Sequence, residues 1–138
     1  MIMEQNYNKL VAWILGVVLV LVGLLGFVMT TPLLGIFDVS LVHNIVHLLT
    51  GGILVVGAVI DGGRNARLIN MVLGVVYLLV AVVGFAAPGL TTTLLGGTTA
   101  APAIDAADNI LHVLIGVVLL GVAFAMKETT TMGTTNKM

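Results

Sequence analysis

The chain has no cysteine among its 138 residues. That excludes disulfides, thiolate metal centres and cysteine nucleophiles together. Charge is nearly as scarce: Asp, Glu, Lys and Arg make up 8% of the residues, against about a quarter in an ordinary soluble domain. The net charge of −1, with no basic cluster, leaves no electrostatic footprint for nucleic acid. Prolines number three. None of them interrupts a long apolar run, and no charge stands near the middle of one, whereas a transporter would want broken spans or midplane charges. Ser40 is the only serine and stands at an expected helix start, where a capping role outweighs a nucleophilic one. A cap and a buried hydrogen-bond partner likewise account for Asp105 and Asp108 without acid–base chemistry. A non-enzymatic protein is expected.

Apolar length is what the chain has in abundance. Hydrophobic residues make up 59% of it, more than a chain of this size can bury in its own interior. Four segments reach the roughly 20 residues needed to span a bilayer: Leu10–Met29, Val39–Ile60, Leu68–Ala87 and Ala107–Met126. Their polarity does not alternate as barrel strands require, so helices are expected. All five basic residues fall on one side of such spans: Lys9, Arg64, Arg67, Lys127 and Lys137. The loops Thr30–Asp38 and Pro88–Ala106 contain none. The positive-inside bias then puts both termini in the cytoplasm. The first span is about twice the length of a signal peptide's apolar region and has no small-residue cleavage site after it, so it is expected to stay as a helix.

The chain repeats itself. Gly16–Phe27 reads GVVLVLVGLLGF and Gly74–Phe85 reads GVVYLLVAVVGF, identical at seven of twelve positions. His43–Gly51 reads HNIVHLLTG and Asp108–Gly116 reads DNILHVLIG, identical at five of nine. These matches predict a tandem duplication of a two-helix unit, with parallel copies related by a pseudo-twofold axis along the membrane normal. The expected architecture is an all-α transmembrane four-helix bundle over residues 1–127. Its first repeat covers about 8–60 and its second about 66–126, and 128–138 form a disordered cytoplasmic tail. Small residues recur on one face of each span: Gly16, Gly23 and Gly26, Gly74, Ala81 and Gly84, with Gly51 and Gly116 in the other pair. In lipid such residues let backbones approach closely, and packing replaces the missing hydrophobic drive between helices.

The second and fourth spans begin at the outer surface, with Asp38, Ser40 and Asp105 as candidate N-caps. At 1.5 Å rise per residue, His47 and His112 lie roughly 8–12 Å below those starts. His43 and Asp108 lie one turn shallower on the same faces. Ionisable groups inside a span are costly and turn toward the bundle interior. The repeat therefore predicts one polar cluster between these two spans: His43, Asn44, His47, Asp108, Asn109 and His112. His47 should face His112, and Asn44 should face Asn109.

The doubled N-x-x-H-x-x-x-G pattern resembles a family of small four-helix prokaryotic integral membrane proteins catalogued only as a domain of unknown function. The matching residues are Gly26 and Phe27, Asn44, His47 and Gly51, Gly84 and Phe85, then Asp108, Asn109, His112 and Gly116. The resemblance covers the four spans and excludes both tails. It implies a fold and a place in a prokaryotic cell membrane or a thylakoid, and it brings no reaction with it.

Three roles suit the cluster. It can be a hydrogen-bond network that sets helix register, since Asn and His commonly bridge helices in lipid. It can bind a ligand: His43 with His47 and Asp108 with His112 are i,i+4 pairs suited to a divalent transition metal, and His47 with His112 could be axial ligands of a haem. Alternatively, the protein is an accessory subunit of a larger respiratory or photosynthetic membrane complex, or a homo-oligomer. Tyr77 is expected to be a packed residue with one hydrogen bond. Leu33, Leu34, Ile36 and Phe37 are expected on the membrane surface or over the cluster, Pro88–Ala106 as an irregular lid, and Tyr7 and Trp13 at the inner interface.

Overall fold

A computed structural model describes residues 6–30, 32–95 and 102–126, with side chains 102–105 excepted. Among the described residues the fold is all-α, with five α-helices and no strand beyond an isolated bridge between Leu33 and Phe37. Helix α1 is Tyr7–Val28, α2 is Leu41–Val59, α3 is Ala66–Ala86, α4 is Pro88–Leu95 and α5 is Pro102–Ala125. Four stretches are long and apolar enough to cross a membrane: α1, Leu41–Gly63, α3, and Ala106–Ala125 of α5. Large apolar side chains such as Leu21, Leu49, Leu79 and Leu114 are exposed along all four. In water that would be a liability, whereas hydrocarbon solvates it.

The helix starts follow local chemistry. The Asn6 side chain accepts from the Lys9 N–H at 3.0 Å and caps α1. The Ser40 hydroxyl accepts from the His43 N–H at 3.1 Å and caps α2, so the cap is Ser40 rather than Asp38. Proline opens both α4 and α5, at the position where its missing N–H costs nothing. The turn between α2 and α3 runs through Asp61, Gly62 and Gly63 at φ of 50°, 69° and 83°. A side chain at Gly63 would also meet the Lys9 side chain at 2.9 Å.

Helix α1 packs along α2, and α3 packs along α5, far more closely than any other pairing. Glycine makes this possible. A Cβ at Gly16 or Gly51 would come within 2.8 Å of the other's carbonyl oxygen. For Gly74 and Gly116 the corresponding distances are 3.2 and 3.0 Å. The core of Leu19, Leu54, Leu73, Tyr77, Ile115 and Leu119 joins the two helix pairs. At the end opposite α4, buried Asn8 donates to the Met126 carbonyl at 2.9 Å, and buried Asn70 donates to the Asn8 carbonyl at 3.0 Å. Arg67 Nε donates to the Ala123 carbonyl at 2.7 Å. These bonds tie α1, α3 and α5 together through two asparagines whose place in the fold the repeat does not announce.

Three expectations need correction or lie outside the described residues. The segment Pro88–Ala106 is not an irregular lid throughout: 88–95 form α4, and α5 begins at Pro102. Thr91 and Thr92 hydroxyls donate back to the Pro88 carbonyl at 2.8 and 3.0 Å, and Thr93 does the same to Gly89 at 2.8 Å. Asp105 accordingly lies in the first turns of α5 rather than at a cap, and its side chain is outside the described set. The tail 128–138 and Lys127 also lie outside it. The apolar loop after α1 is a tight turn. The Leu33 carbonyl accepts from the Ile36 and Phe37 N–H groups at 3.1 Å each, across Leu34 and Gly35 at φ of 55° and 74°. Leu33 is buried while Leu34 and Ile36 are exposed.

Candidate metal centre

The site lies between α2 and α5 at the end that carries α4. Its geometry begins at Ser40, whose cap starts α2 so that His43 falls in the first turn and His47 one turn on. On α5, Asp108 and His112 have the same spacing. Ring centroids are 4.4 Å apart for His43 and His47, 5.7 Å for His43 and His112, and 6.2 Å for His47 and His112. All three histidines are buried. One ring nitrogen from each can be chosen so that all three lie within 4.8 Å of one another.

The hydrogen bonds around these rings are sparse. His43 Nδ1 lies 3.1 Å from the Asp38 carbonyl. A carbonyl only accepts, so Nδ1 carries the proton and Nε2 of the neutral ring presents its lone pair to the cluster. Four buried ring nitrogens have no hydrogen-bond partner among the described residues: His43 Nε2, both nitrogens of His47, and His112 Nδ1. Leaving a buried polar group unmade costs about 1–3 kcal/mol. Asp108 Oδ2 stands 4.0 Å from His43 Nε2 and 3.7 Å from His112 Nδ1.

The surroundings are uneven. Tyr77 of α3 stacks on His112 with centroids 5.6 Å apart, and its hydroxyl bonds Thr50 Oγ1 at 2.8 Å. It is a packed residue with one partner, as expected. In the repeat, Tyr77 corresponds to Leu19 and Thr50 to Ile115, so the polar pair exists on one side only. Helix α4 closes the end. Ser40 Oγ hydrogen-bonds the Leu95 carbonyl, and Leu95 borders three small cavities that touch the histidines.

Of the six residues expected to cluster, His43, His47, Asp108 and His112 come together. The two asparagines take another course. The Asn44 carboxamide lies on Gly26 of α1, and that of Asn109 lies on Gly84 of α3, so close that a methyl on either glycine would overlap it. Asn109 still borders a cavity with Asp108 and His112. The two glycines therefore seat amides rather than backbones. Thr50 and α4 were missed from sequence, the first because one threonine in an apolar span is commonplace.

Three imidazoles that hold four unpartnered ring nitrogens between them, a carboxylate nearby and a backbone carbonyl orienting one ring are donors of the kind that could hold a transition-metal ion. No curated protein and no solved structure matches the chain. A family pattern does, over residues 9–125, from α1 through α5, and the chain belongs to that family, described as Domain of unknown function (DUF4383).

Proposed function

We propose that this is an integral membrane protein that binds one divalent transition-metal ion through His43, His47 and His112. The observation that carries the reading is that three buried imidazoles bring one ring nitrogen each within 4.8 Å of the others, while four of their ring nitrogens lack partners among the described residues. A register-setting network would be expected to join the rings to each other or to the backbone. Among the described residues the ring bond seen is that of His43, and it uses Nδ1, the nitrogen that does not face Asp108. Metal-bound histidines commonly donate their other ring nitrogen to a carbonyl or carboxylate in this manner.

A haem fits less well. The His43 ring, 4.4 Å from that of His47 and 5.7 Å from that of His112, occupies the space that a macrocycle between those two rings would need, and the adjoining cavities are no larger than a few water molecules. The role proposed is binding rather than catalysis. Assembly into a larger complex stays the alternative, supported by the apolar faces that a partner could cover as well as lipid.

The finer architecture belongs to the same proposal. Matching glycine contacts, Gly16 with Gly51 and Gly74 with Gly116, support a four-helix bundle made by tandem duplication. So do the matching amide seats at Gly26 and Gly84. The distribution of basic residues supports cytoplasmic termini, which puts the metal site near the extracytoplasmic face.

Elemental analysis and zinc titration of detergent-purified protein test the binding. One ion per chain is expected, together with its loss in His47→Leu, which removes both unpartnered nitrogens while keeping an apolar, similar volume. Removing such groups leaves the metal-free fold as stable as wild type or slightly more so. Wild-type protein that takes up no zinc, cobalt, copper or iron, and shows no absorbance from a bound pigment, returns the cluster to a packing role.

A further inference from the structure

Resting on the three-imidazole site proposed above, we infer that Asp108 is its fourth ligand, making a closed His3Asp centre for a divalent ion. The first argument is distance. In a tetrahedral site with metal–ligand bonds of 2.0–2.1 Å, neighbouring donor atoms stand about 3.3 Å apart. Asp108 Oδ2 lies 3.7 and 4.0 Å from two imidazole nitrogens. That is too long for hydrogen bonds to either, and a shared ion would draw the carboxylate oxygen inward by about 0.4 and 0.7 Å to reach tetrahedral separation.

The second argument is tautomer. In the neutral ring, with Nδ1 donating to the Asp38 carbonyl, His43 Nε2, the nitrogen facing Asp108, presents a lone pair. Two acceptors, a lone pair and a carboxylate oxygen, therefore point into the same space. A cation between them resolves that opposition. The third argument is charge. Three neutral imidazoles do not offset a divalent ion in a low-dielectric interior, and the Asp108 carboxylate halves the charge left behind.

The repeat sharpens the inference. Position 43 of the first copy and 108 of the second are equivalent, yet one is histidine and the other aspartate. The remaining site positions match, His47 with His112. The difference gives the cluster a single hard, anionic donor where a strict repeat would place a fourth histidine. Oxygen and nitrogen donors without thiolate or thioether favour zinc, cobalt, nickel or iron in the divalent state over monovalent copper. Asp108 is also the least buried of the four, with 17% of its side chain exposed against 5–6% for His43 and His112. It borders both polar cavities beneath α4, so an arriving ion meets the carboxylate before the imidazoles.

Cobalt(II) titration of the full-length protein in detergent tests this, because its visible bands report coordination geometry as well as occupancy. Wild type is expected to bind one ion with the intense bands of a tetrahedral site. Asp108→Asn is isosteric and neutral. It should weaken cobalt by more than about 100-fold, beyond the loss from an outer-shell partner, and change the band pattern. Asp108→Glu should recover part of the affinity with shifted bands, and it carries the test if the asparagine variant does not fold. If both variants bind within about ten-fold of wild type with the same spectrum, Asp108 is only a neighbour and the inference falls while the imidazole site stands. Wild-type protein that binds neither cobalt nor zinc overturns both.

Discussion

A methyl group added at Gly84 would overlap the carboxamide of Asn109, whereas one added at Gly121 or Gly52 would meet nothing within 4 Å. The same residue type therefore has opposite sensitivities along one chain. Gly26→Ala and Gly84→Ala must displace a buried amide and should destabilise by about 1–3 kcal/mol. Gly52→Ala and Gly121→Ala should be neutral or stabilise by up to about 1 kcal/mol through helix propensity. Thermal unfolding in one detergent ranks the four; equal effects at all would contradict the packing. The spacing of glycines on one helix face is legible in the sequence. Which neighbour each glycine meets is not, because the face is shared between the backbone of α2 and the asparagine it carries. The same ambiguity sends Asn44 and Asn109 to their hairpin partners rather than toward each other.

At the scale of elements, Ser40 serves two helices. It caps α2 through the His43 N–H and holds the last carbonyl of α4. Ser40→Ala should cost about 1 kcal/mol for the cap and speed hydrogen exchange across Pro88–Leu95, while Ser40→Thr keeps both bonds and should leave exchange near wild type. Unchanged exchange in the alanine variant would mean that α4 is held elsewhere. The four long helices could be read from the sequence because some 20 consecutive apolar residues admit little else, and their observed ends fall within a few residues of those expected, apart from the longer start of α5. Helix α4 could not. Its Pro-Gly opening and three consecutive threonines carry weak helix propensity, and it persists through hydroxyl-to-carbonyl bonds and docking on Ser40. Asn8 and Asn70 were equally opaque, since a lone asparagine near a span end gives no hint of three helices meeting there.

At the scale of the whole molecule, the absence of cysteine becomes an experimental asset. Single cysteines at exposed Asn65, between α2 and α3, and at exposed Thr93 on α4 should react from opposite sides of an intact membrane. The basic residues predict that an impermeant maleimide reaches Thr93→Cys in whole cells and Asn65→Cys only after permeabilisation. Reversed labelling would turn the molecule over and put the histidine cluster at the cytoplasmic face. The doubled phrase made the site's existence legible at this scale. The assignment of its ligands was not, because that depends on which ring nitrogens face inward.

The backbone contacts at Gly16 with Gly51 and Gly74 with Gly116 have a mechanical consequence. Where main chain touches main chain, no side chain can rotate to absorb a displacement, so each hairpin resists shear as a rigid beam. The bonds described between the two beams each involve a side chain, as in Asn8 to Met126 and Asn70 to Asn8, and the histidines stand in that joint. Any breathing of the molecule is thereby concentrated at the histidines, where the ion of the proposed site would enter or leave.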